Sequence, residues 1–381
     1  MNAKSKQFGP SPEVVTEIGE ARMLALMTDA FGGYGGIAQY NRDFLNAASQ
    51  SGLFSSILVL PRLAPLSAEV PLRRVSQERP VLGRLRYALR AIWRSLQTRP
   101  TVIYNAHLLH SPLAFLLARL VGAKLISQLH GTEVWEPMTF MQRKALEASD
   151  LILTVSRDTR ARTLDQLRVA PEKVVVLNNT FGEIFSVGDR PAARRRFDVA
   201  EELVVLTVAR LDQRDGYKGH DRIIRLMPGL AKRGLLFTYW IAGKGPDQAR
   251  LERLAVELSV DDTVRFLGMV LAEDLPDLYR AADLFALPST GEGFGIAFVE
   301  AMACGTPAFG LAVGGAPDAL ADGALGACSS PDEFPEAFAA ALEFCRSDET
   351  DWKDELPRLV TERFGMENYV QALSLHLRAL H

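Results

Sequence analysis

Residues 23–45, MLALMTDAFGGYGGIAQYNRDFL, decide the fold class. The apolar run Met23 to Met27 has strand length, and Thr28-Asp29-Ala30-Phe31 breaks it. Glycines at 32, 33, 35 and 36 follow, and then Ile37, Tyr40, Phe44 and Leu45 recur at helical spacing. Strand, glycine loop and helix in that order open a parallel α/β unit, whose ligands lie over the loop at the strand's carboxyl end.

The pattern continues along the chain. Short apolar runs recur at Ser56 to Leu60, Val102 to Tyr104, Lys124 to Gln128, Leu151 to Val155 and Val174 to Leu177, alternating with helical stretches such as Ser111 to Leu120. A second series runs through Leu203 to Val208, Leu236 to Ala242, Val264 to Phe266, Leu284 to Leu287 and Thr306 to Phe309. Alternation of this kind predicts two parallel sheets covered by helices. Between the series, Asn178 to Ala200 carries Gly188, Pro191 and the run Arg194-Arg195-Arg196, and reads as a connector with a domain boundary near residue 190. A chain of 381 residues is long enough for two such domains.

Composition excludes several functions. A net charge of −3 gives no footprint for a nucleic-acid backbone. Cys304, Cys328 and Cys345 are too dispersed for a zinc site or a disulfide framework, which fits a reducing compartment. The lead MNAKSKQFGPSPEVVTEIGE lacks an apolar core of signal-peptide length. No stretch of about 18 uncharged apolar residues follows it, so a cytoplasmic protein is expected.

The strongest chemical signal is Glu292-Gly-Phe-Gly-Ile-Ala-Phe-Val-Glu300, two glutamates separated by seven residues, directly after a predicted strand and Pro288-Ser289. Glycines at 291, 293 and 295 let backbone amides approach a ligand, and the helix start that follows favours an anion such as a sugar diphosphate. The whole segment 288–315, PSTGEGFGIAFVEAMACGTPAFGLAVGG, resembles the E-x7-E region of glycosyltransferase family 4, and the resemblance extends over roughly residues 22 to 380. Further marks fall in family order. Val208-Ala209-Arg210-Leu211 with Tyr217-Lys218-Gly219-His220 resembles the diphosphate-binding arginine and lysine, both able to neutralise phosphate oxygens. Ile241-Ala242-Gly243-Lys244-Gly245-Pro246 resembles the donor-cleft turn, and Phe266-Leu267-Gly268-Met269-Val270 the segment beside the nucleotide base. In the first half, Gly35-Gly36 resembles the glycine loop beneath the donor, and His130-Gly131-Thr132-Glu133 the histidine motif facing the donor sugar. His107 and His110 have no such match.

The resemblance implies a GT-B fold: two Rossmann-like parallel-sheet α/β domains facing across a cleft, with a C-terminal helix crossing back to the first. The expected limits are 20–188 for the acceptor-side domain, 200–357 for the donor domain and 358–381 for the crossing helix. It implies a retaining hexosyltransferase that takes a UDP- or GDP-sugar and needs no bound metal or other cofactor. Catalytic residues carried over are His130, Glu292, Arg210 and Lys218. Donor-binding residues are Gly35, Gly36, Gly243, Met269, Val270, Gly293, Phe294, Gly295, Ile296 and Glu300, with Glu300 on the ribose hydroxyls and the amides near Phe294 and Gly295 on the departing diphosphate.

Other classes compete on particular residues. Gly33-Tyr-Gly35-Gly-Ile-Ala38 also fits a dinucleotide fingerprint, but the second strand ends in Leu58-Val59-Leu60-Pro61-Arg62 without the acid that binds NAD ribose; Arg62 leaves an NADP-like reading open there. No pyridoxal phosphate lysine suggests a phosphorylase, and an epimerase would not be expected to carry two glutamates at that spacing. A non-catalytic nucleotide-sugar binder remains the alternative. One feature concerns the acceptor. Over residues 81–97, Leu82, Leu85, Leu89, Ile92, Trp93 and Leu96 share a helix face flanked by Arg86, Arg90 and Arg94, a pattern suited either to packing or to an anionic membrane surface. The membrane reading gives a lipid-linked glycan acceptor in surface polysaccharide biosynthesis at the inner face of the cytoplasmic membrane.

Overall fold

The computed structural model describes residues 20–33, 35–63, 69–212, 218–347 and 351–380. Tyr34 and Tyr217, each part of a motif above, lie outside the described residues, as do residue 381 of the expected crossing helix and all but the last residue of the polar lead.

Strands β1 (Ala21–Met27), β2 (Phe54–Pro61), β3 (Val75–Gln77), β4 (Val102–Asn105), β5 (Lys124–Leu129), β6 (Leu151–Thr154) and β7 (Val174–Val176) form a parallel sheet in the order β3-β2-β1-β4-β5-β6-β7. Helices α1 (Gly36–Gln50), α2 (Arg84–Thr98), α3 (Ser111–Val121), α4 (Phe140–Glu147) and α5 (Arg157–Gln166) alternate with them. Every residue of β4 and β6 is buried, as continuous apolar runs covered on both faces require.

After α6 (Arg190–Arg196) the second sheet starts over: β8 (Val204–Val208), α7 (His220–Lys232), β9 (Thr238–Ala242), α8 (Gln248–Glu257), β10 (Val264–Gly268), α9 (Leu275–Ala281), β11 (Leu284–Leu287), α10 (Ile296–Ala303), β12 (Ala308–Leu311), α11 (Ala316–Ala319), β13 (Ala327–Ser329) and α12 (Phe334–Arg346). Its parallel order is β10-β9-β8-β11-β12-β13. Strand order reverses at β1/β4 in one sheet and at β8/β11 in the other, and crevices at such switch points are where α/β sheets bind ligands.

Two short strands, β3 and β13, are absent from the sequence reading; three residues carry no readable period. The basic connector also differs from the expectation. Asp189 caps α6, Pro191 sits in its first turn, and the helix packs on α9. Arg190 and Arg194 both reach Asp283, while Arg196 bonds Asp274 and Asp277. Arg190, Arg194 and Arg196 thus tie the connector to the second domain.

The chain ends in α13 (Asp351–Phe364) and α14 (Met366–Arg378), joined at Gly365. The expected limit at 357/358 falls inside α13, which packs on α10 of the second domain. It is α14 that crosses to α1 of the first, burying Tyr369, Leu373 and Leu377. Tyr369 donates a hydrogen bond to Tyr40 of α1 at 3.1 Å. Side chains of this size contribute about 1.5–3 kcal/mol each when removed from water. A second tie between domains is ionic: Arg157 at the start of α5 meets Asp318 at 3.2 Å and Asp322 at 2.6 Å. These features make up the GT-B architecture expected above.

The apolar stripe over residues 81–97 faces outward except at Ile92, which is half-buried and packs on the core beside Ala91. The buried residues of α2 are Tyr87, Ala91 and Ser95, whereas Leu82, Leu85, Leu89, Trp93 and Leu96 are all at least half exposed. Glu78 takes both Arg90 and Arg94, and their guanidinium groups lie over the Trp93 ring. Arg84 and Arg86 are exposed beside the stripe.

Candidate functional site

The loop after β11 brings the glutamates to the mouth of the cleft. Glu292 is buried, and its Oε1 accepts from Lys218 Nζ at 2.7 Å, with the lysine side chain itself only 16% exposed. Lys218 stands at the start of the segment leading into α7, and Gly219 packs against the Pro288 carbonyl. Eight residues on, Glu300 points inward from α10 and accepts from the Tyr279 hydroxyl at 2.9 Å. Burial lifts its carboxyl from the usual 4.5 to about 7, and the Tyr279 bond opposes that rise. A buried carboxylate with a single neutral donor has acceptor capacity left for a pair of ligand hydroxyls.

Across the cleft, His130 follows β5. Its Nε2 lies 2.8 Å from the Ala106 carbonyl, which only accepts, so Nε2 carries the proton and Nδ1 is the acceptor. Burial lowers the imidazole pKa against the opposing pull of Glu133, whose carboxylate accepts from the His130 backbone N–H. The neutral ring is edge-on to Tyr40 at 4.8 Å and tilted towards His107 at 6.2 Å.

The two motifs touch. A Cβ on Gly293 would come within 1.9 Å of the His130 carbonyl oxygen, and one on Gly131, at φ 112°, within 2.4 Å of the Gly293 Cα. Only glycine at both positions permits this approach of two backbones from different domains. Histidine and E-x7-E loops, separated by more than 150 residues in the chain, thereby share one locus.

The remaining residues of the sequence reading distribute around it. Phe294 is buried, edge-on to Phe364 at 5.7 Å, while Gly295 and Ile296 begin α10. Gly243 follows β9 and donates its N–H to the Gly268 carbonyl, drawing Met269 and Val270 alongside; Met269 is exposed and Val270 half-buried. Arg210 is exposed just after β8. Gly35 and Gly36 open α1, with free space where their Cβ atoms would be. Sequence reasoning missed Tyr279, Tyr40 and His107, because a tyrosine inside a helix pattern carries no motif and a histidine two residues past a strand needs the topology to place it. Among the described residues no cluster of three or more His, Cys, Asp or Glu side chains has metal-holding geometry. A cavity of about 360 Å³ lies elsewhere, between Val176–Asn179 and Arg363–Leu375, and holds none of the motif residues. The site is assigned on side-chain chemistry instead.

The fold is that of a protein with two parallel-sheet α/β domains whose loops meet at Gly131 and Gly293. Residues 34–181 match the model for Glycosyltransferase Family 4, and residues 189–359 that for Glycosyl transferases group 1. The chain belongs to glycosyltransferase family 4. It is 32% identical over 284 residues to the D-inositol 3-phosphate glycosyltransferase of Stackebrandtia nassauensis, covering 68% of this chain and 60% of that one. It is 34% identical over 232 residues to the GDP-mannose-dependent alpha-(1-6)-phosphatidylinositol monomannoside mannosyltransferase of Mycolicibacterium smegmatis, covering 57% of this chain and 60% of that one. The chain thus spans about 60% of the length of these curated relatives. In structure it is similar to Anabaena HepE in complex with UDP-glucose, with a TM-score of 0.74 at 19% identity over 94% of this chain and 100% of that one. No helix among the described residues is long and apolar enough to cross a membrane.

Proposed function

We propose that the protein is a retaining hexosyltransferase that moves a hexose from a UDP- or GDP-sugar to a lipid-linked glycan in surface polysaccharide assembly. The observation that carries this reading is the contact between Gly131 and Gly293, which sets neutral His130 and the Lys218–Glu292 pair around one locus. The names of the relatives, a glycosyltransferase and a GDP-mannose-dependent mannosyltransferase, support a nucleotide-sugar donor.

In this reading the donor sugar sits between His130 Nδ1 and Glu292. The arriving diphosphate competes with Glu292 for Lys218, and Arg210 with the amides at Phe294 and Gly295 adds positive potential where charge develops as the nucleoside diphosphate leaves. Glu300 takes the ribose diol. Gly35 and Gly36 close the sugar side from the first domain, and Met269 and Val270 flank the base. No metal or other cofactor enters the scheme. The outward stripe of α2, with Arg84 and Arg86, supports docking on an anionic membrane at the cytoplasmic side.

The test is a thermal-shift screen of UDP-sugars, GDP-sugars and NAD(P), comparing wild type with Glu300→Ala. A ligand at about 100 times its Kd adds about 2.7 kcal/mol to native stability. A shift by one sugar nucleotide that Glu300→Ala abolishes is expected; a shift by NAD(P) alone overturns the reading.

A further inference from the structure

The first domain holds a second group of polar side chains that the donor scheme does not use, at the carboxyl ends of β1, β2 and β4. The Arg62 backbone N–H donates to the carbonyls of Met27 and Thr28, which fixes the arginine beside the end of β1. The Ala106 N–H donates to the Leu26 carbonyl and brings the segment after β4 to the same place. That segment turns at His107, whose Nδ1 accepts from the Leu109 N–H at 3.2 Å, and carries His110. The His110 ring lies against Tyr87 at 5.4 Å, and the Tyr87 hydroxyl donates to the Leu60 carbonyl at 2.9 Å.

Three atoms here are buried without a hydrogen-bond partner: Thr28 Oγ1, Arg62 Nε and His110 Nε2. His110 is 5% exposed. A buried donor or acceptor left without a partner destabilises the fold, so three at the carboxyl ends of adjacent strands call for a ligand that satisfies them. Each of the three can donate, and one carries a permanent positive charge. The complementary group is a multidentate anionic acceptor. Burial, with the Arg62 guanidinium beside it, pushes His110 down to about 4, which leaves a neutral ring able to donate from Nε2.

One carboxylate stands nearby. Asp29 is half-buried, with burial raising its pKa against the lowering fields of Arg42 and His107. The Arg42 guanidinium bonds the neutral oxygens of Ala30, Gly33 and Gln39 and lies beside both Asp29 and Asp43. Asp29 lies on the His107 side, towards His130, and accepts hydroxyl protons rather than anions.

We propose that Thr28, Arg62 and His110 bind a phosphoryl group on the acceptor, while Asp29 receives an acceptor hydroxyl on the side towards His130. The inference rests on the transferase reading for the word acceptor, but the phosphate site itself does not. A phosphorylated polyol in solution and a lipid phosphodiester headgroup share this chemistry.

Calorimetric titration of the whole chain with glycerophosphate, with short-chain phosphatidylglycerol and with glycerol separates them. Glycerophosphate binding alone assigns a free phosphate ester; phosphatidylglycerol binding alone assigns a lipid headgroup; glycerol binds neither way. Arg62→Gln and His110→Phe should each weaken the phosphate probe about 10-fold or more, the usual worth of a charge-assisted or buried bond. The milder Thr28→Val reports on the site if either fails to fold, and retained binding of a nucleoside diphosphate certifies each variant. Absence of binding by both phosphate probes, or equal binding by wild type and folded variants, overturns the proposal. Loss of nucleoside diphosphate binding by the wild type would instead overturn the donor reading.

Discussion

Replacing Glu300 by glutamine separates what the residue does for a ligand from what it costs the fold. The wild-type carboxyl is raised from 4.5 to about 7 by burial, with only the Tyr279 hydroxyl helping its charged form. A carboxyl with a raised folded pKa binds a proton in the native state that the unfolded chain has released. Native stability is therefore complete below the unfolded pKa and falls as pH rises from about 4.5 through about 7. The gap corresponds to about 3 kcal/mol, at about 1.4 kcal/mol for each pH unit. Glutamine keeps the acceptor for Tyr279 and never ionises. The two melting temperatures should thus coincide below about pH 4.5, separate progressively between about pH 4.5 and pH 7, and keep a constant gap above that, the variant melting higher by several degrees, at about 2–4 °C for each kcal/mol in domains of this size. Asp43, raised to about 7 chiefly by burial and in part by the Glu300 charge, slopes both curves; the variant removes that repulsion, so Asp43 widens the gap at high pH in the same direction. A difference that stays flat from about pH 5 to pH 8.5, or a variant that melts lower at high pH, would refute the reasoning. The same variant should bind the donor nucleotide at least about 10-fold more weakly, since it loses charge-assisted bonds to the ribose.

Gly293→Ala places a methyl group 1.9 Å from the His130 carbonyl, so the loops must part; we expect a larger radius in solution scattering and a turnover at least about 10-fold lower, and an unchanged radius would count against the contact. Arg157→Ala removes the ion pairs to Asp318 and Asp322, but the side chain is 56% exposed, so the melting temperature should barely move while scattering reports a looser domain angle. Serine at Leu85, Leu89 and Trp93 together should abolish pelleting with anionic vesicles without lowering the melting temperature, because these side chains already face water; a loss on the scale of a core substitution would show that they pack.

The sequence carried the parallel sheets, their order of appearance and the glycine-rich loops, because buried strands keep an apolar run whatever surrounds them. It also singled out Glu292, Glu300, Lys218 and His130, through their resemblance to a family's motifs, and the fold brings His130, Lys218 and Glu292 to one locus. What it could not carry depends on three dimensions. Arg194 and Arg196 read only as parts of a connector until Asp283, Asp274 and Asp277, some 80 to 90 residues later, come alongside. The face of α2 is equally apolar whether it packs or not, and only the small residues Ala91 and Ser95 on the opposite side show which way the helix lies. Nor does a motif disclose that Gly131 and Gly293 touch, because the contact belongs to two strings at once.

The crossing of α14 bears on how the chain is made. A ribosome releases the first sheet long before Tyr369, Leu373 and Leu377 emerge, yet these residues cover α1. Vectorial synthesis therefore leaves the N-terminal half with an open apolar seam until α14 has been made, and that half would rely on chaperones or on delay. A premature stop before residue 366 should injure the domain made first, and the released chain should expose the Tyr40 region to protease while the second sheet stays protected.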